Sequence, residues 1–398
     1  MMVLTSPPKP PRSADPYRVM LVDDSAVIRG LFARSLESDP EVQVVASVGD
    51  GQMAVNTLAK DKGKIEVVVL DIEMPRMDGL TALPELLKID PDVPVVMAST
   101  LTARNADISL KALALGAKDY IPKPSSMREL SAAEVFKREL LEKVKALAAA
   151  RRRKVGGAAP ARPRFTADRG TAATPAATTA ATTPRAAPAA KPAAPPIALR
   201  AAGRRPPQVL CIGSSTGGPQ ALFKLLGALS KSLRMPILLT QHMPATFTSI
   251  LADHITRSTG WQCVEATDRM PVQSGRVHLA PGDFHMLAER SGTGVVLRLT
   301  KDPPENFCRP AVDPMLRSAI EAWGGQALTV ILTGMGHDGQ KGSEALVNAG
   351  GTVIAQDEAS SVVWGMPGAV ARAGICTAVL PLDQIAPWID RQTARWAA

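Results

Sequence analysis

The sequence predicts two α/β domains, each built on a parallel sheet, joined by a long irregular linker. Three observations carry the prediction. Short apolar runs alternate with amphipathic segments over residues 16–135 and again over 207–396. The stretch between them is rich in Ala, Pro and Thr and has no hydrophobic period. Gly, Ser, Asp and His residues stand just after several apolar runs, where parallel strands end and ligands collect.

In the first zone, Arg18–Val22, Val42–Val48, Ile65–Leu70, Val93–Ala98 and Ala117–Ile121 read as strands. Ser25 is a good N-cap for a helix to Leu36, with Ile28, Leu31, Phe32 and Leu36 on one face. Gly51–Leu58, Leu80–Ile89, Arg104–Leu115 and Ser126–Ala149 complete a fivefold βα pattern. Residues 1–15 are proline-rich, without the apolar stretch of a signal peptide, and are expected to be disordered. Residues 136–206 are expected to be a helical extension followed by the linker.

The net charge of +9 suggests an anionic partner until its location is counted. Twelve lysines and arginines lie between Arg151 and Arg205, against Asp168 alone. The basicity is therefore assigned to the linker rather than to a folded face. No base-reading module accompanies it, so no specific nucleic-acid partner is expected. Cys211, Cys263, Cys308 and Cys376 lack the close spacing of a zinc or redox motif, which fits a reduced, cytoplasmic setting. No apolar run reaches the roughly 20 residues of a membrane span, so an integral membrane protein is not expected.

The second zone opens with an apolar run, Val209-Leu210-Cys211-Ile212, followed by Gly213-Ser214-Ser215-Thr216-Gly217-Gly218. Such a turn can expose a serine hydroxyl above a parallel sheet, with Ser215 at the elbow. It can equally be a plain strand-to-helix connection or a phosphate loop. Two later apolar runs end near His242 and Asp338. Residues past the carboxyl ends of such strands converge on one crevice, so these three can meet. Serine attacks, histidine takes and returns the proton, and a carboxylate fixes the imidazole. The order Ser, His, Asp differs from the α/β-hydrolase order. Asp313-Pro314 reads as a helix start with Asp313 as cap, and Asp383 as another possible cap.

Ile212–Gly218, Gln241-His242-Met243-Pro244, Leu279–Asp283, Arg309–Asp313, Leu332–Gly339 and Gly365-Met366-Pro367 resemble the protein-glutamate methylesterase/protein-glutamine glutaminase (CheB) family of bacterial chemotaxis, in that family's order. The resemblance implies a doubly wound α/β methylesterase domain with Ser215, His242 and Asp338 as triad. It also implies that the Met335 backbone N–H holds the oxyanion. No His-Glu-x-x-His or comparable ligand spacing appears, so no catalytic metal or other cofactor is expected in this domain. Ser214 stands where the family often has alanine, and His337 where it often has asparagine. His337, His254, His278 and His285 are read as ordinary surface or core histidines. Asp283 is a motif acid without an assigned role. Arg309 could steer acidic receptor segments or make a structural salt bridge.

In the first zone Asp23, Asp24, Asp71, Ser99 and Lys123 all follow strand ends. Clustered carboxylates suit a hard cation such as Mg²⁺, and a lysine with a hydroxyl suits a phosphoryl group. Val22–Ser25, Leu70–Gly79 and Lys123-Pro124 resemble the response-regulator receiver family, a flavodoxin-like (βα)5 fold. The resemblance implies phosphorylation of Asp71, Mg²⁺ at Asp24, Asp71 and the Glu73 carbonyl with Asp23 nearby, and a switch formed by Ser99, Tyr120 and Lys123. Together the two resemblances imply a phosphorylation-activated esterase and glutaminase acting on methyl-accepting chemoreceptors, with a chemotaxis histidine kinase as phosphodonor. A receiver with a non-enzymatic binding output, and a small-metabolite serine esterase, are the competing classes.

Overall fold

The computed structural model describes residues 13–100, 102–123, 130–156 and 197–397. The N-terminal domain contains β1 (Tyr17–Val22), α1 (Ala26–Leu36), β2 (Val42–Val48), α2 (Gly51–Lys60), β3 (Val67–Asp71), α3 (Gly79–Ile89), β4 (Val95–Ser99), α4 (Ala103–Ala114), β5 (Asp119–Pro122) and α5 (Leu130–Lys154). Its five strands lie in the order β2-β1-β3-β4-β5, all parallel. Every residue of β3 and β4 is buried, as expected of central strands covered by helices on both faces. Ser25 caps α1 as expected, accepting from the Ile28 N–H.

The C-terminal domain contains β6 (Val209–Ser214), α6 (Gly218–Ala228), β7 (Ile237–Gln241), α7 (Ala245–Thr259), β8 (Cys263–Glu265), β9 (Met270–Pro271), β10 (Val277–Leu279), β11 (His285–Ser291), β12 (Gly294–Thr300), α8 (Val312–Trp323), β13 (Ala327–Ile331), α9 (Gln340–Asn348), β14 (Thr352–Gln356), α10 (Met366–Arg372), β15 (Ala378–Leu380) and α11 (Leu382–Ala397). Seven strands form a parallel sheet, β15-β14-β13-β6-β7-β10-β8. The chain leaves β6 for β7 on one side, while β13 pairs on the other. That reversal opens a crevice above the carboxyl end of β6. A small antiparallel sheet, β11-β12-β9, is added at the side, and the alternation of strands and helices did not foretell it.

Three expectations need correction. The basic run at Arg151 is not linker but the last turn of α5, and its cations are used. Arg151 Nη2 donates to Asp90 at 2.5 Å, Arg152 Nε to Glu66 at 2.5 Å, and Lys154 Nζ to Asp92 at 2.5 Å. Arg151 and Arg152 are buried, so these pairs fasten α5 to its own sheet. The boundary expected at 135/136 thus falls inside a helix that packs on the N-terminal domain. Asp313 does not cap its helix: Ala311 holds the N-cap position of α8, with no side-chain bond of its own. Asp383 lies within the first turn of α11, not ahead of it. The expected helix start at Ser126, Pro124, and the linker over 157–196 lie outside the described residues.

The two domains touch through α4 and β5 on one side and α6 and α7 on the other. Thr216 Oγ1 donates to Asp119 Oδ2 at 2.7 Å, and both residues are buried. Gln220 Nε2 donates to the Leu113 and Ala117 carbonyls at 3.2 and 2.5 Å. Tyr120 stacks on Phe247 with ring centroids 4.3 Å apart. His254 Nε2 bonds Asp107 Oδ1 at 2.9 Å.

Candidate active site and phosphoacceptor site

Three adjacent strands, β7, β6 and β13, deliver the candidate triad. Ser215 follows β6 and is half-buried. Its loop is fixed from several sides: the Ser215 N–H donates to the Thr333 carbonyl at 3.1 Å, and Gln241 Nε2 donates to the Ser215 carbonyl at 3.0 Å. Gly334 must be glycine for this approach, since a Cβ there would lie 2.9 Å from the Ser215 Cβ. The Met335 and Thr216 N–H groups donate to no acceptor among the described residues, so both are free to donate to a ligand.

His242 follows β7, and its N–H donates to the Ser214 carbonyl at 3.1 Å. Its Nε2 meets Asp338 Oδ2 at 2.7 Å. Asp338 also accepts from Asn306 Nδ2 at 2.8 Å, and from the N–H groups of Val312, Asp313 and Gly339 at 2.6, 3.1 and 2.9 Å. The Val312 and Asp313 donors are the first turn of α8. A carboxylate from a distant loop thus supplies the cap that Ala311 cannot, in the favourable field of a helix N-terminus. Burial works against the charge of Asp338, but the His242 bond and the backbone donors hold its carboxyl below the ordinary range. Burial also disfavours a charged His242. Here the Cys308 sulfur and the Asp338 carboxylate prevail and push its pKa up to about 10.

Several residues escaped the sequence reading. Gln241 accepts from Ser214 Oγ at 2.7 Å and donates to the Ser215 and His242 carbonyls, so it ties nucleophile loop to base loop. Ser214 is therefore used, although alanine would fit the family pattern. Asn306 and Cys308 reach the site from the loop after β12, and Cys308 Sγ lies 3.3 Å from His242 Nδ1. No motif in that loop announced them. Asp313 is buried behind Asp338, accepting from the Gly342 N–H at 2.7 Å and from Asn306. Burial, then the Asp338 charge, raises its pKa.

Other singled-out residues stand apart. His337 is exposed, unlike its buried neighbour Asp338. His278 is buried, its Nε2 accepting from the Gln273 N–H, and burial with nearby Arg276 pushes its pKa down to about 4. His285 Nδ1 accepts from the Ala311 N–H. Arg309 pairs with Asp283 at 2.9 Å and donates to the Lys301 and Asp302 carbonyls, the structural of its two readings.

In the N-terminal domain, carboxylate oxygens of Asp23, Asp24 and Asp71 lie within 4.8 Å of one another. Lys123 Nζ reaches Asp23 at 2.7 Å and Asp71 at 2.6 Å. One lysine against three carboxylates leaves the cluster anionic, which suits a divalent hard cation. Burial, aided by Asp23 and opposed by Lys123, raises the Asp71 pKa to about 6. Glu73 and Asp24 line a cleft of about 530 Å³ beside the cluster. Ser99 is buried, its hydroxyl accepting from Ser109 Oγ at 3.2 Å, and Tyr120 is buried against Phe247.

Comparison with known proteins decides the family. Residues 210–389 match the CheB methylesterase model, and residues 19–134 match the response regulator receiver domain. A protein-glutamate methylesterase/protein-glutamine glutaminase of Rhodospirillum centenum is 61% identical over 98% of this chain and 97% of its own length. The chain belongs to the CheB methylesterase family. A relative from Azospirillum brasilense bearing the same enzyme name is 57% identical over 96% of this chain and 94% of its own. The catalytic domain of Thermotoga maritima CheB is 40% identical, covers 47% of this chain and 98% of its own, and aligns with a TM-score of 0.46. Membership makes the protein a response-regulator hydrolase of the CheB type, with a receiver domain ahead of its methylesterase domain. No helix among the described residues is long and apolar enough to cross a membrane.

Proposed function

We propose that this protein hydrolyses glutamate methyl esters on chemoreceptors, releasing methanol, and deamidates receptor glutamines by the same route. The observation that carries the reading is the 2.7 Å His242–Asp338 pair beside Ser215 at the ends of three adjacent strands. Ser215 Oγ attacks the γ-carbonyl while His242 Nδ1 takes its proton, Nε2 being held by Asp338. The carboxylate stabilises the imidazolium that forms. The Met335 N–H, with that of Thr216, receives the oxyanion. His242 returns the proton to the leaving methoxide oxygen or amide nitrogen, which departs as methanol or ammonia, and water then takes the leaving group's place to release the acyl group by the same steps in reverse. The relatives' enzyme names support both substrates.

The receiver is proposed to govern access, with Asp71 accepting a phosphoryl group from a chemotaxis histidine kinase. Asp23, Asp24 and Asp71 would hold Mg²⁺, with the Glu73 carbonyl as a further ligand. The ion would neutralise charge on the incoming phosphoryl group. Lys123 and Ser99 would then bind the new oxygens and Tyr120 would repack. Support comes from the position of Tyr120 and Asp119, which contact Phe247 and Thr216, the latter next to the nucleophile. Met335 and Val363 pack in one cluster with Ile121, Phe136 and Leu140 of the receiver, so the receiver covers the oxyanion loop. The domains are assigned as receiver through α5 and catalytic domain from about residue 207, in the cytoplasm, where receptor tails and kinase are reached.

The test is methanol release from methyl-labelled receptor membranes, with and without acetyl phosphate and Mg²⁺. Wild type should release methanol and respond to acetyl phosphate, and Ser215→Ala should do neither. Methanol release by Ser215→Ala at the wild-type rate would sink the serine mechanism.

A further inference from the structure

His242 has two ring nitrogens, and both are occupied. Nε2 bonds Asp338, while Nδ1 faces Cys308 Sγ at 3.3 Å. Ser215 Oγ makes no hydrogen bond among the described residues, so the nitrogen that a general base must offer it is turned to a thiol. The other three cysteines are buried, and only Cys308 is partly open.

The loop that carries Cys308 is held under strain. Glu305 and Cys308 exchange backbone hydrogen bonds of 3.1 and 2.8 Å. Between them Asn306 and Phe307 both adopt the left-handed region, at φ 51° and 64°, without being glycine. Consecutive non-glycine residues persist there only where surroundings enforce it. Arg317 pairs with Glu305, and Asn306 bonds both Asp338 and Asp313, so the loop is pinned on the catalytic side. Phe307 is 74% exposed, and its ring carries the Arg138 guanidinium 4.0 Å from the centroid. Arg138 belongs to α5 of the receiver. The receiver thus touches the one residue that separates Asn306 from Cys308.

We infer that Cys308 is a positioning residue that holds the general base off the nucleophile in the receiver-closed chain, with the receiver's Arg138 bracing its loop through Phe307. Inhibition then has two parts: the receiver covers the crevice, and the loop it braces occupies His242 Nδ1. Activation must move that nitrogen from sulfur to the serine hydroxyl. The inference rests on the hydrolase reading above. The titratable and charged groups around the ring are Cys308 of the loop and Asp338 of the β13–α9 turn, with Asp313 and Arg317 of α8 behind them.

The experiment measures methanol release from methyl-labelled receptor membranes by full-length, unphosphorylated protein across pH. Cys308→Ala should raise the basal rate about three- to tenfold, the range of one net hydrogen bond. It should also move the rising limb of the pH profile to lower pH, because a group that favours the imidazolium is gone. Cys308→Ser, which keeps a small polar group, should fall between and serves if the alanine variant folds poorly. Arg138→Ala, which touches no catalytic group, should give part of the same rise. An unchanged or lower rate for Cys308→Ala, or a higher rate with an unmoved limb, overturns the positioning role. A silent Arg138→Ala overturns the bracing. Wild type with acetyl phosphate and Mg²⁺ is the reference: no methanol there defeats the hydrolase reading itself, whereas normal release beside an inert Cys308→Ala defeats this inference alone.

Discussion

Asp71 and Asp338 are buried alike, at 4% and 1% exposure, the first ending parallel strand β3 and the second lying past the carboxyl end of β13. Their carboxyls are nevertheless driven in opposite directions. Asp71 is raised to about 6, whereas Asp338 is lowered. Burial is common to both and cannot be the cause of the difference. The donors are. Asp338 receives His242, Asn306 and three backbone N–H groups. Asp71 receives Lys123 and the Ile72 N–H, with Asp23 opposing. One carboxylate is fully furnished and serves as a permanent charge. The other is left short of partners, which suits the cation-binding and phosphoacceptor role proposed for it.

The largest effects should come from the furnished site. Ser215→Ala should lower methanol release on the order of 10⁶-fold, and Asp338→Asn on the order of 10⁴-fold, since the carboxylate orients the base rather than forming bonds. An amide at position 338 also places a donor against the α8 N–H groups. If Asp338→Asn kept more than a tenth of wild-type activity, the contrast between the two carboxyls would lose its catalytic meaning.

At the unfurnished site the expected change is in control. Asp71→Asn should keep the basal rate and lose the response to acetyl phosphate with Mg²⁺. A variant that still responds would show that another group receives the phosphoryl.

The comparison also fixes the sign of two pH effects on stability. Asp71 binds its proton more tightly when folded than the ordinary value of 3.8, so ionising it costs stability as pH rises through about 6. Asp338 is depressed, so its contribution is present above the unfolded carboxylate pKa and lost as pH falls through the folded one. Thermal midpoints of Asp71→Asn should therefore gain on wild type between about pH 4 and pH 7, and Mg²⁺ should narrow the gap by stabilising the ionised carboxylate. A difference that does not vary with pH would remove burial as the cause of the Asp71 shift.

The sequence was most legible where chemistry sits at the end of a strand. Ser215, His242, Asp338 and Asp71 each follow an apolar run, and the structure brings the first three to adjacent strands and the last beside Asp23 and Asp24. It was least legible where a residue's partner is distant and its own surroundings have no period. Asn306 and Cys308 lie on an irregular loop. Asp313 looked like a local cap until Asp338 proved to supply the donors' partner from another strand end. The arginines ending α5 resembled low-complexity linker because Glu66 and Asp90, which hold them, are far back in the chain. Tyr120 was singled out only through the resemblance, and its stacking on Phe247 is what ties it to the other domain.

The smallest effect should come from loosening the contact between the two sites without touching either. His254 on α7 bonds Asp107 on α4, and the pair is partly open, with side-chain exposures of 17% and 35%. Pairs of this kind contribute roughly 0.2–1 kcal/mol, because water screens them and the side chains lose freedom. Asp107 also pairs with Lys111 one helical turn away, so its loss frees a lysine that is already solvated. Asp107→Ala should therefore shift the closed–open balance only slightly, raising unphosphorylated methanol release by about 1.5- to fivefold. The same variant under acetyl phosphate and Mg²⁺ should match wild type, since the contact it weakens would already be released. A gain that persisted equally in the phosphorylated protein would place the effect in the catalytic domain, and the receiver contact at α4 and α7 would no longer be a restraint on the enzyme.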